Sequence, residues 1–355
     1  MSRFWSKATL RCEPYVPGEQ LNQPGIIKLN TNENPYPPSP AVVRAIEQEA
    51  TNSLNLYPSP TAGQLKKRIA DLHGLKKEQV FVGNGSDEVL AFSFMAFFDQ
   101  DKTIRFPDIS YSFYPVYARL FNIPFETVPL QADFTIPKEA FFQSQGGVIF
   151  PNPNAPTSIY LELGSIEEIA AQNPNQVVII DEAYIDFASD SAVRLVQDYE
   201  NILVIQTMSK SKSLAGLRVG YALGNEDLIS GLTRIKDSFN SYTLDRLAIA
   251  GAEAAFQATD YYADMTEKVK TTREWTISAM NQRGFTVLPS QTNFIFTTHE
   301  TIPAEELYER LKVSGILIRY FNKPRIENYV RITIGTDEEM QQLFHQLDQI
   351  IIEAT

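Results

Sequence analysis

The sequence predicts an α/β protein with a large, doubly wound, mostly parallel sheet and a smaller α+β domain after it. From about residue 62 to residue 240, helix-like stretches alternate with short runs of apolar and β-branched residues, which is the pattern of βαβ units. These runs are apolar throughout rather than alternating, as is typical of strands that are covered on both faces. A chain of 355 residues, 43% of them hydrophobic, is long enough for about two domains with a sizeable core.

The first 40 residues form a predicted arm. They are rich in proline, asparagine and tyrosine without helical or strand periodicity, and Pro37, Pro38 and Pro40 favour an extended chain that leads into a helix near Ala41. We expect the large domain to span residues 41–245. Its predicted strands are Gln79–Val82, Thr103–Phe106, Gly147–Phe150, Val177–Ile180, Ile202–Thr207 and Gly220–Leu223. Because ligands of such sheets bind beyond the carboxyl ends of the strands, the residues directly after each strand are candidate site residues.

The small domain is expected over residues 246–355, together with the arm. A long helical stretch, about Tyr242–Gln282, leads into it. Its further predicted elements are strands at Gly284–Leu288, Thr292–Phe296, Ile316–Arg319 and Tyr329–Ile334, a helix at Ala304–Lys312 and a last helix from Asp337. This order of elements is typical of an α+β domain.

Composition excludes several classes of function. Lys and Arg total 31 against 43 Asp and Glu, a net charge of −12, and no basic stripe is present, so a nucleic-acid partner is not expected. The single cysteine, Cys12, excludes an intrachain disulfide, and the three histidines match no metal-ligand spacing. Residues 1–11 lack an apolar signal segment, and the apolar stretch Leu90–Phe98 is too short to span a bilayer. We therefore expect a cytoplasmic protein with neither a metal nor a membrane partner.

The first motif is the strand, glycine-rich turn and helix start from Val80 to Glu88. The free N–H groups at such a helix end can bind a phosphate, which makes Gly85, Ser86 and Asp87 candidate ligands. The motif matches neither the P-loop nor the dinucleotide GxGxxG spacing. Simple helix capping by Ser86 or Asp87 is the alternative interpretation.

The second motif is the apolar run Val177–Ile180, which is followed by Asp181 and then Tyr184. An aspartate here could be an ordinary exposed loop residue, or it could hold magnesium in a nucleotide site, although no P-loop lysine accompanies it. A carboxylate at a strand end can also keep a pyridine ring nitrogen protonated.

The third motif closes the strand Ile202–Thr207 with two hydroxyl residues, Thr207 and Ser209, and two lysines, Lys210 and Lys212. Arg218 follows eight positions after Lys210. An amine next to hydroxyl groups and a guanidinium suits Schiff-base chemistry on a phosphorylated aldehyde. Residue types alone leave Lys210 and Lys212 as equal candidates, and a solvated basic loop is the alternative.

A phosphate site, a carboxylate for a ring nitrogen and a lysine are together what pyridoxal 5'-phosphate requires. At this point the chain resembles the PLP-dependent transferases of fold type I, and most closely the histidinol-phosphate aminotransferase family. The resemblance spans nearly the whole chain and is most specific in Ser209–Arg218, with Lys28–Pro35, Gln291–Phe294 and Val330–Thr336 in the family's order.

The resemblance implies a role for each candidate. Lys210 matches the family's Schiff-base lysine, which leaves Lys212 as a bystander. Asp181 would pair with the pyridinium nitrogen of the cofactor. Tyr184 would form a hydrogen bond with its phenolic oxygen, and Tyr111 would stack on its ring. The phosphate ligands would be Gly85, Ser86, Asp87, Thr207, Ser209 and Arg218, joined by Tyr57 from the other subunit of a homodimer.

For the substrate, the resemblance implies Arg319 and Arg331, with Tyr15 from the arm. Two guanidinium groups suit a phosphate or carboxylate dianion. The family often reads Asn-Asn-Pro-Thr-Gly where this chain reads Asn154-Ala155-Pro156-Thr157-Ser158, so the asparagine that contacts the phenolic oxygen is Asn154 or is absent.

The expected activity is amino transfer from histidinol phosphate to 2-oxoglutarate in histidine biosynthesis, in two half-reactions with Lys210 as the proton carrier. Three alternatives stay open: an aromatic or broad-range aminotransferase, a lyase of the threonine-phosphate decarboxylase type, and a non-catalytic binding module. The last is usually joined to a DNA-binding segment, for which this chain has no basic helix.

Overall fold

The computed structural model describes residues 2–15, 19, 25–50 and 52–354; the parts of the predicted arm at 1, 16–18 and 20–24 lie outside these ranges. The strands are β1 (Ile27–Lys28), β2 (Val80–Asn84), β3 (Ile104–Pro107), β4 (Phe125–Val128), β5 (Val148–Pro151), β6 (Val178–Asp181), β7 (Ile202–Thr207), β8 (Val219–Gly224), β9 (Phe285–Val287), β10 (Phe294–His299), β11 (Ile316–Leu317), β12 (Arg319–Tyr320) and β13 (Val330–Thr333). The helices are α1 (Lys7–Arg11), α2 (Pro40–Glu49), α3 (Gly63–His73), α4 (Gly85–Phe97), α5 (Phe113–Phe121), α6 (Leu163–Ala171), α7 (Glu226–Phe239), α8 (Arg246–Gln257), α9 (Thr259–Asn281), α10 (Ala304–Val313) and α11 (Asp337–Ala354).

The large sheet has the strand order β2-β8-β7-β6-β5-β3-β4. All neighbouring strands are parallel except β8, which runs antiparallel to both β2 and β7. The predicted α/β class with a mostly parallel sheet is therefore confirmed. Strand β4 was not predicted, because Val128 is its one fully buried residue and an edge strand of this kind lacks a continuous apolar run.

Strands β5, β6 and β7 lie at the centre of this sheet and are buried along their whole length. One apolar cluster packs on each face, with α3, α6 and α8 on one side and α4, α5 and α7 on the other. The carboxyl ends of β3, β5, β6 and β7 open at the same edge, as the strand pattern predicts.

The predicted helix at Tyr242–Gln282 is wrong in its continuity, because two helices occupy the stretch. Helix α8 begins after Asp245, whose carboxylate accepts a hydrogen bond from the N–H of Ala248 (2.8 Å). Ala258, with φ −92° and ψ 45°, interrupts the chain before α9. Periodicity alone does not detect this one-residue break.

The predicted strand Ile316–Arg319 also divides. Strand β11 pairs in parallel with β1 of the arm, whereas β12 pairs with β13 in a four-stranded antiparallel sheet of order β12-β13-β10-β9. The helices α9 and α11 cover this sheet. One short apolar run thus joins two sheets.

The described part of the arm is not wholly extended. Helix α1 is capped by Ser6, whose hydroxyl oxygen accepts from the N–H of Thr9 (3.2 Å). Glu13 pairs with Arg119 of α5 (2.8 Å), and the ring of Tyr15 packs on Phe113 with 4.5 Å between centroids. Within the described ranges, no helix is long and apolar enough to cross a membrane.

Candidate active site

The turn from β2 into α4 forms an anion-binding geometry at the edge of the sheet. Gly85 has φ +79°, and a Cβ there would lie 2.6 Å from the guanidinium of Arg218. On the other side, a Cβ on Gly220 of β8 would lie 2.3 Å from the backbone nitrogen of Ser86. The first turn of α4, with its free N–H groups, therefore rests directly on β8 with no space between them.

We expect Gly220→Ala to lower the free energy of unfolding by about 2–3 kcal/mol, because the atom that the new methyl group meets is backbone and cannot rotate away. Chemical denaturation of the purified variants measures this change. Gly164→Ala is the matched control, since a Cβ at Gly164 meets no atom within 4 Å. Equal stability of the two variants would contradict the close packing of α4 on β8.

Asp87 connects the start of α4 to two other predicted residues. Its carboxylate accepts hydrogen bonds from the hydroxyl of Tyr111 (2.7 Å) and from the guanidinium of Arg218 (2.8 Å). Burial, and secondly the charge of Asp87, raise the pKa of Tyr111, which keeps the phenol neutral. Asp87 therefore orients Tyr111 and Arg218, and the guanidinium of Arg218 could hold an anion at this end of the cavity.

Asp181, the last residue of β6, is buried, and its two carboxylate oxygens differ. Oδ2 accepts a hydrogen bond from the hydroxyl of Tyr114 (2.9 Å), whereas the buried Oδ1 has no partner among the described residues. Burial raises the pKa of Asp181 to about 6, although the bond from Tyr114 acts in the opposite direction. Such an oxygen suits a cationic N–H donor. Sequence reasoning missed Tyr114, although it lies one helical turn after Tyr111.

The structure distinguishes the two candidate lysines. The amine of Lys210 reaches into the site, where it donates to the carbonyl oxygen of Thr31 (3.3 Å) and lies 5.6 Å from the ring centroid of Tyr184. Lys212 points elsewhere, 3.8 Å from Asp186 and above the ring of Tyr262. Only Lys210 of these two lines the cavity.

These residues enclose a cavity of about 180 Å³ at the carboxyl ends of the central strands. Its lining contains most of the predicted cofactor ligands together with residues that sequence reasoning did not single out. The predicted ligands that line it are Ser86, Asp87, Tyr111, Asp181, Tyr184, Thr207, Ser209, Lys210 and Arg218. Among the others are Thr31 and Glu33 of the arm, whose Asn-rich segment follows β1.

A second cavity adjoins the first and shares Tyr111, Tyr184 and Lys210 with it. It contains all three predicted substrate residues, Tyr15, Arg319 and Arg331. The two guanidinium groups come from paired positions on β12 and β13.

Arg331 is held against the backbone of the arm, and its Nε is buried. It donates to the carbonyl oxygen of Asn30 (3.0 Å), its Nε has no partner, and burial lowers its pKa. Neither Arg331 nor Arg319 forms an ion pair with any residue in the described part of the chain. Two cations without counter-charges in one cavity favour a dianionic ligand.

Three predicted residues line neither cavity: Gly85 at the start of α4, Asn154 and Tyr57. The side-chain amide of Asn154 donates to the carbonyl oxygen of Ile109 (3.0 Å) and to the hydroxyl of Thr157 (2.8 Å), and it is Ala155 that lines the cavities. Tyr57 is 78% exposed and stacks on Tyr242. The structure of one chain therefore does not bring Asn154 or Tyr57 to the site.

The first cavity has the parts that a phosphorylated pyridine aldehyde needs. A helix end and a guanidinium face its anionic group, a buried unpartnered carboxylate oxygen suits its ring nitrogen, and one amine can bond to its carbonyl carbon. The residues present therefore fit this kind of cofactor, and the adjoining cavity suits an anionic substrate.

The family model for class I and II aminotransferases matches residues 24–347. Histidinol-phosphate aminotransferase 1 of Oceanobacillus iheyensis is 58% identical over 351 residues, which cover 99% of each chain. The histidinol-phosphate aminotransferase of Clostridium acetobutylicum is 54% identical over 351 residues, 99% of this chain and 100% of that one. Among solved structures, the histidinol-phosphate aminotransferase of Sinorhizobium meliloti in complex with pyridoxal-5'-phosphate has a TM-score of 0.85 at 24% identity, over 93% of this chain and 92% of that one.

Proposed function

The chain belongs to the class I and II aminotransferase family, and we propose that within it the protein is a histidinol-phosphate:2-oxoglutarate aminotransferase of histidine biosynthesis. The resemblance to this family inferred from the sequence is confirmed. The observation that carries the substrate assignment is the pair of unpaired arginines, Arg319 and Arg331, in the cavity next to Lys210. The relatives at 58% and 54% identity support the same assignment.

Pyridoxal 5'-phosphate is the cofactor of this family, and we propose a role for each residue that faces it. Lys210 would bond to its aldehyde carbon, and Asp181 would hold its ring nitrogen through the free Oδ1. Tyr111 and Tyr184 would contact the ring and the phenolic oxygen. Gly85, Ser86 and Asp87 would supply backbone and capping contacts at the phosphate, joined by Thr207, Ser209 and Arg218; all of these except Gly85 line the first cavity.

When bound, pyridoxal phosphate supplies an electron sink for the bond pair that is released at the donor carbon. Asp181 would keep the ring nitrogen positively charged, which this sink requires. The amine of Lys210, when not bonded to the cofactor, would take a proton from the donor carbon and deliver it to the cofactor carbon. Arg319 and Arg331 hold the substrate's anionic group while the proton moves.

The proposed function is tested by the first half-reaction. Purified enzyme with pyridoxal phosphate is mixed anaerobically with L-histidinol phosphate or with L-phenylalanine, and the loss of visible absorption is followed. We expect histidinol phosphate to convert the enzyme at a concentration at least about tenfold lower, because the two guanidiniums bind its phosphate. Equal conversion by phenylalanine would indicate a general aromatic aminotransferase instead. Release of carbon dioxide from O-phosphothreonine would indicate the lyase.

We expect Arg331→Leu to raise the KM for histidinol phosphate on the order of 100-fold, because a buried cation that binds a dianion is lost. Turnover with histidinol, which lacks the phosphate, should change much less. Steady-state kinetics with both donors measure the difference. An equal loss with the two donors would contradict a phosphate-binding role for Arg331.

We further propose a homodimer in which Tyr57 completes the phosphate site of the partner subunit. Large apolar side chains are exposed near Tyr57 on one chain, as a subunit interface requires: Leu54 and Leu56 at 56% and 60%, Phe239 at 73% and Tyr242 at 41%. The exposed ring of Tyr57, away from its own chain's cavity, supports a contact across that interface.

Mixed dimers test this shared site. In a heterodimer of one Lys210→Ala chain and one Tyr57→Ala chain, one site would combine an intact Lys210 with an intact Tyr57. We expect such purified heterodimers to recover about half of the wild-type activity per dimer, whereas the Lys210→Ala homodimer is inactive and the Tyr57→Ala homodimer is impaired. Heterodimers no more active than half of the Tyr57→Ala homodimer would contradict the exchange of Tyr57.

We also propose the division into an arm at 1–40, a large cofactor-binding domain at 41–245 and a small domain at 246–355. Support comes from the separation of the seven-stranded sheet from the four-stranded sheet and from the apolar cluster that belongs to the four-stranded sheet. We propose a cytoplasmic location as well, which a role in amino-acid biosynthesis supports.

A further inference from the structure

Asn32 is a buried residue of the arm with a backbone fixed on the small sheet. Its φ of +56° is left-handed, a conformation that asparagine adopts more readily than most other residues with a side chain. Its N–H donates to the hydroxyl oxygen of Thr333 (3.0 Å), and its carbonyl oxygen accepts from the amide of Asn293 (3.0 Å). The position of Asn32 is therefore set by two elements outside the arm.

The side chain of Asn32 is equally fixed. Its Oδ1 accepts a hydrogen bond from the hydroxyl of Thr333 (3.1 Å), so its Nδ2 faces Tyr184 and donates to the phenol oxygen (2.8 Å). Tyr184 is thus an acceptor toward Asn32, and its own proton has to be donated elsewhere. None of the described residues accepts that proton, and Tyr184 lines both cavities.

The residues around Tyr184 hold its ring in place, so that its hydroxyl can donate its proton only toward the cavity. Phe294 packs edge-on against the ring, with 5.0 Å between centroids and 85° between planes, which limits rotation. Next to it, Ala155 presents a methyl group to the cavity, and the amide of Asn154 is engaged with Ile109 and Thr157. The side-chain amide of residue 154 is therefore not a donor into the cavity on this side.

We propose that Asn32 is a positioning residue that makes the Tyr184 hydroxyl a hydrogen-bond donor into the cavity, toward the phenolic oxygen of the cofactor. This inference rests on the proposed function, because it requires pyridoxal phosphate in the first cavity. A hydrogen bond from Tyr184 would withdraw negative charge from that oxygen. The oxygen would then attract less strongly the proton on the neighbouring nitrogen, the one bonded to Lys210, so the pKa of that nitrogen would be lower. Asn32 thereby sets the pH at which the bound cofactor changes colour.

The test reverses the hydrogen bond without changing the shape of the side chain. In Asn32→Asp a carboxylate would accept the proton of Tyr184, so the hydroxyl would no longer donate into the cavity, and aspartate tolerates the left-handed backbone. We expect the pKa of the visible absorption of the loaded enzyme to rise by about 1 and kcat/KM to fall about tenfold. Tyr184→Phe and the double variant complete a double-mutant cycle. The new charge at position 32 acts on the cofactor in both backgrounds, whereas the hydrogen bond of the Tyr184 hydroxyl exists in only one of them.

The rise in the pKa of the visible absorption that Asn32→Asp causes should be much smaller in the Tyr184→Phe background than in the wild-type background. An equal rise in both backgrounds, or no rise in wild type, would overturn the inference. Asn32→Ala, which adds no charge, should shift the absorption in the same direction by a smaller amount, and it decides the question if thermal melting shows that Asn32→Asp is unfolded. Failure of the wild-type protein to acquire visible absorption with pyridoxal phosphate would instead contradict the proposed function.

Discussion

Lys210→Ala is expected to lose amino transfer by at least about 10⁴-fold while the protein remains folded. Of the two candidate lysines, Lys210 is the one that lines the first cavity, and in the proposed mechanism both the bond to the cofactor and the transfer of the proton depend on its amine. Its one described polar contact, to the carbonyl of Thr31 at 3.3 Å, is too long to contribute much to stability. Turnover with histidinol phosphate and 2-oxoglutarate measures the loss, and thermal melting checks the fold.

Lys212→Ala is the matched control, because this lysine lies two residues away and contacts Asp186 and Tyr262 outside the cavity. We expect it to retain turnover near that of the wild type. Small primary amines added to Lys210→Ala should restore part of the proton transfer, since the substitution leaves space where the side chain lay. Near-normal turnover of Lys210→Ala, or an equal loss in Lys212→Ala, would contradict the role of Lys210.

Strand pattern was a good guide to the centre of the fold and a poor guide to its edges. The six strands of the large sheet that the sequence predicts are all present, because continuous apolar runs occur where both faces are covered. The antiparallel direction of β8 is not encoded in such a run, since it depends on how the chain returns after Arg218. Strand β4 and the break at Ala258 depend on tertiary packing rather than on local periodicity.

The candidate site could be predicted where its residues follow strands in fixed motifs. Asp181 and Lys210 are of this kind, and the structure brings both to one cavity. Contacts between distant segments could not be predicted in this way, because nothing in the local sequence pairs Asn32 with Tyr184, 152 positions later, or Tyr114 with Asp181. The same holds for the arm as a whole, whose composition suggested only an extended chain.

Burial of two carboxyl groups next to the site has a cost in stability. Asp181 and Glu182 are adjacent and both fully buried, and burial raises the pKa of Asp181 to about 6 and that of Glu182 to about 7. The oxygens of Glu182 accept from Ser191, from the N–H of Ala192 and from Gln206, on the side of β6 away from the cavity. Asp181, which lines the cavity, keeps its buried Oδ1 without such a donor among the described residues.

Asp181→Asn is therefore expected to stabilise the protein without cofactor. With cofactor, the variant should lose most of the activity of the wild type. A carboxyl group with a pKa raised from 3.8 to about 6 binds a proton more tightly in the folded state, so it destabilises the fold increasingly as pH rises from about 4 to about 6, and fully above that. Removing its charge should add up to about 3 kcal/mol to the free energy of unfolding at pH 7.5, and much less at pH 4. Activity should fall on the order of 1000-fold, because an amide cannot keep the ring nitrogen protonated.

Glu182→Gln separates this effect from the removal of any buried carboxylate. Glu182 shares the strand end and the burial of Asp181 but faces Gln206 and Ser191 instead of the cavity, so the variant should keep turnover per bound cofactor close to wild type. Denaturation at pH 4 and pH 7.5 without cofactor, with turnover measured on the same preparations, gives both quantities. A stabilised but inactive Asp181→Asn beside an active Glu182→Gln would mean that the charge of Asp181 is retained for its interaction with the cofactor at the expense of stability. Loss of stability and activity together in Asp181→Asn at pH 7.5 would instead assign Asp181 to the core.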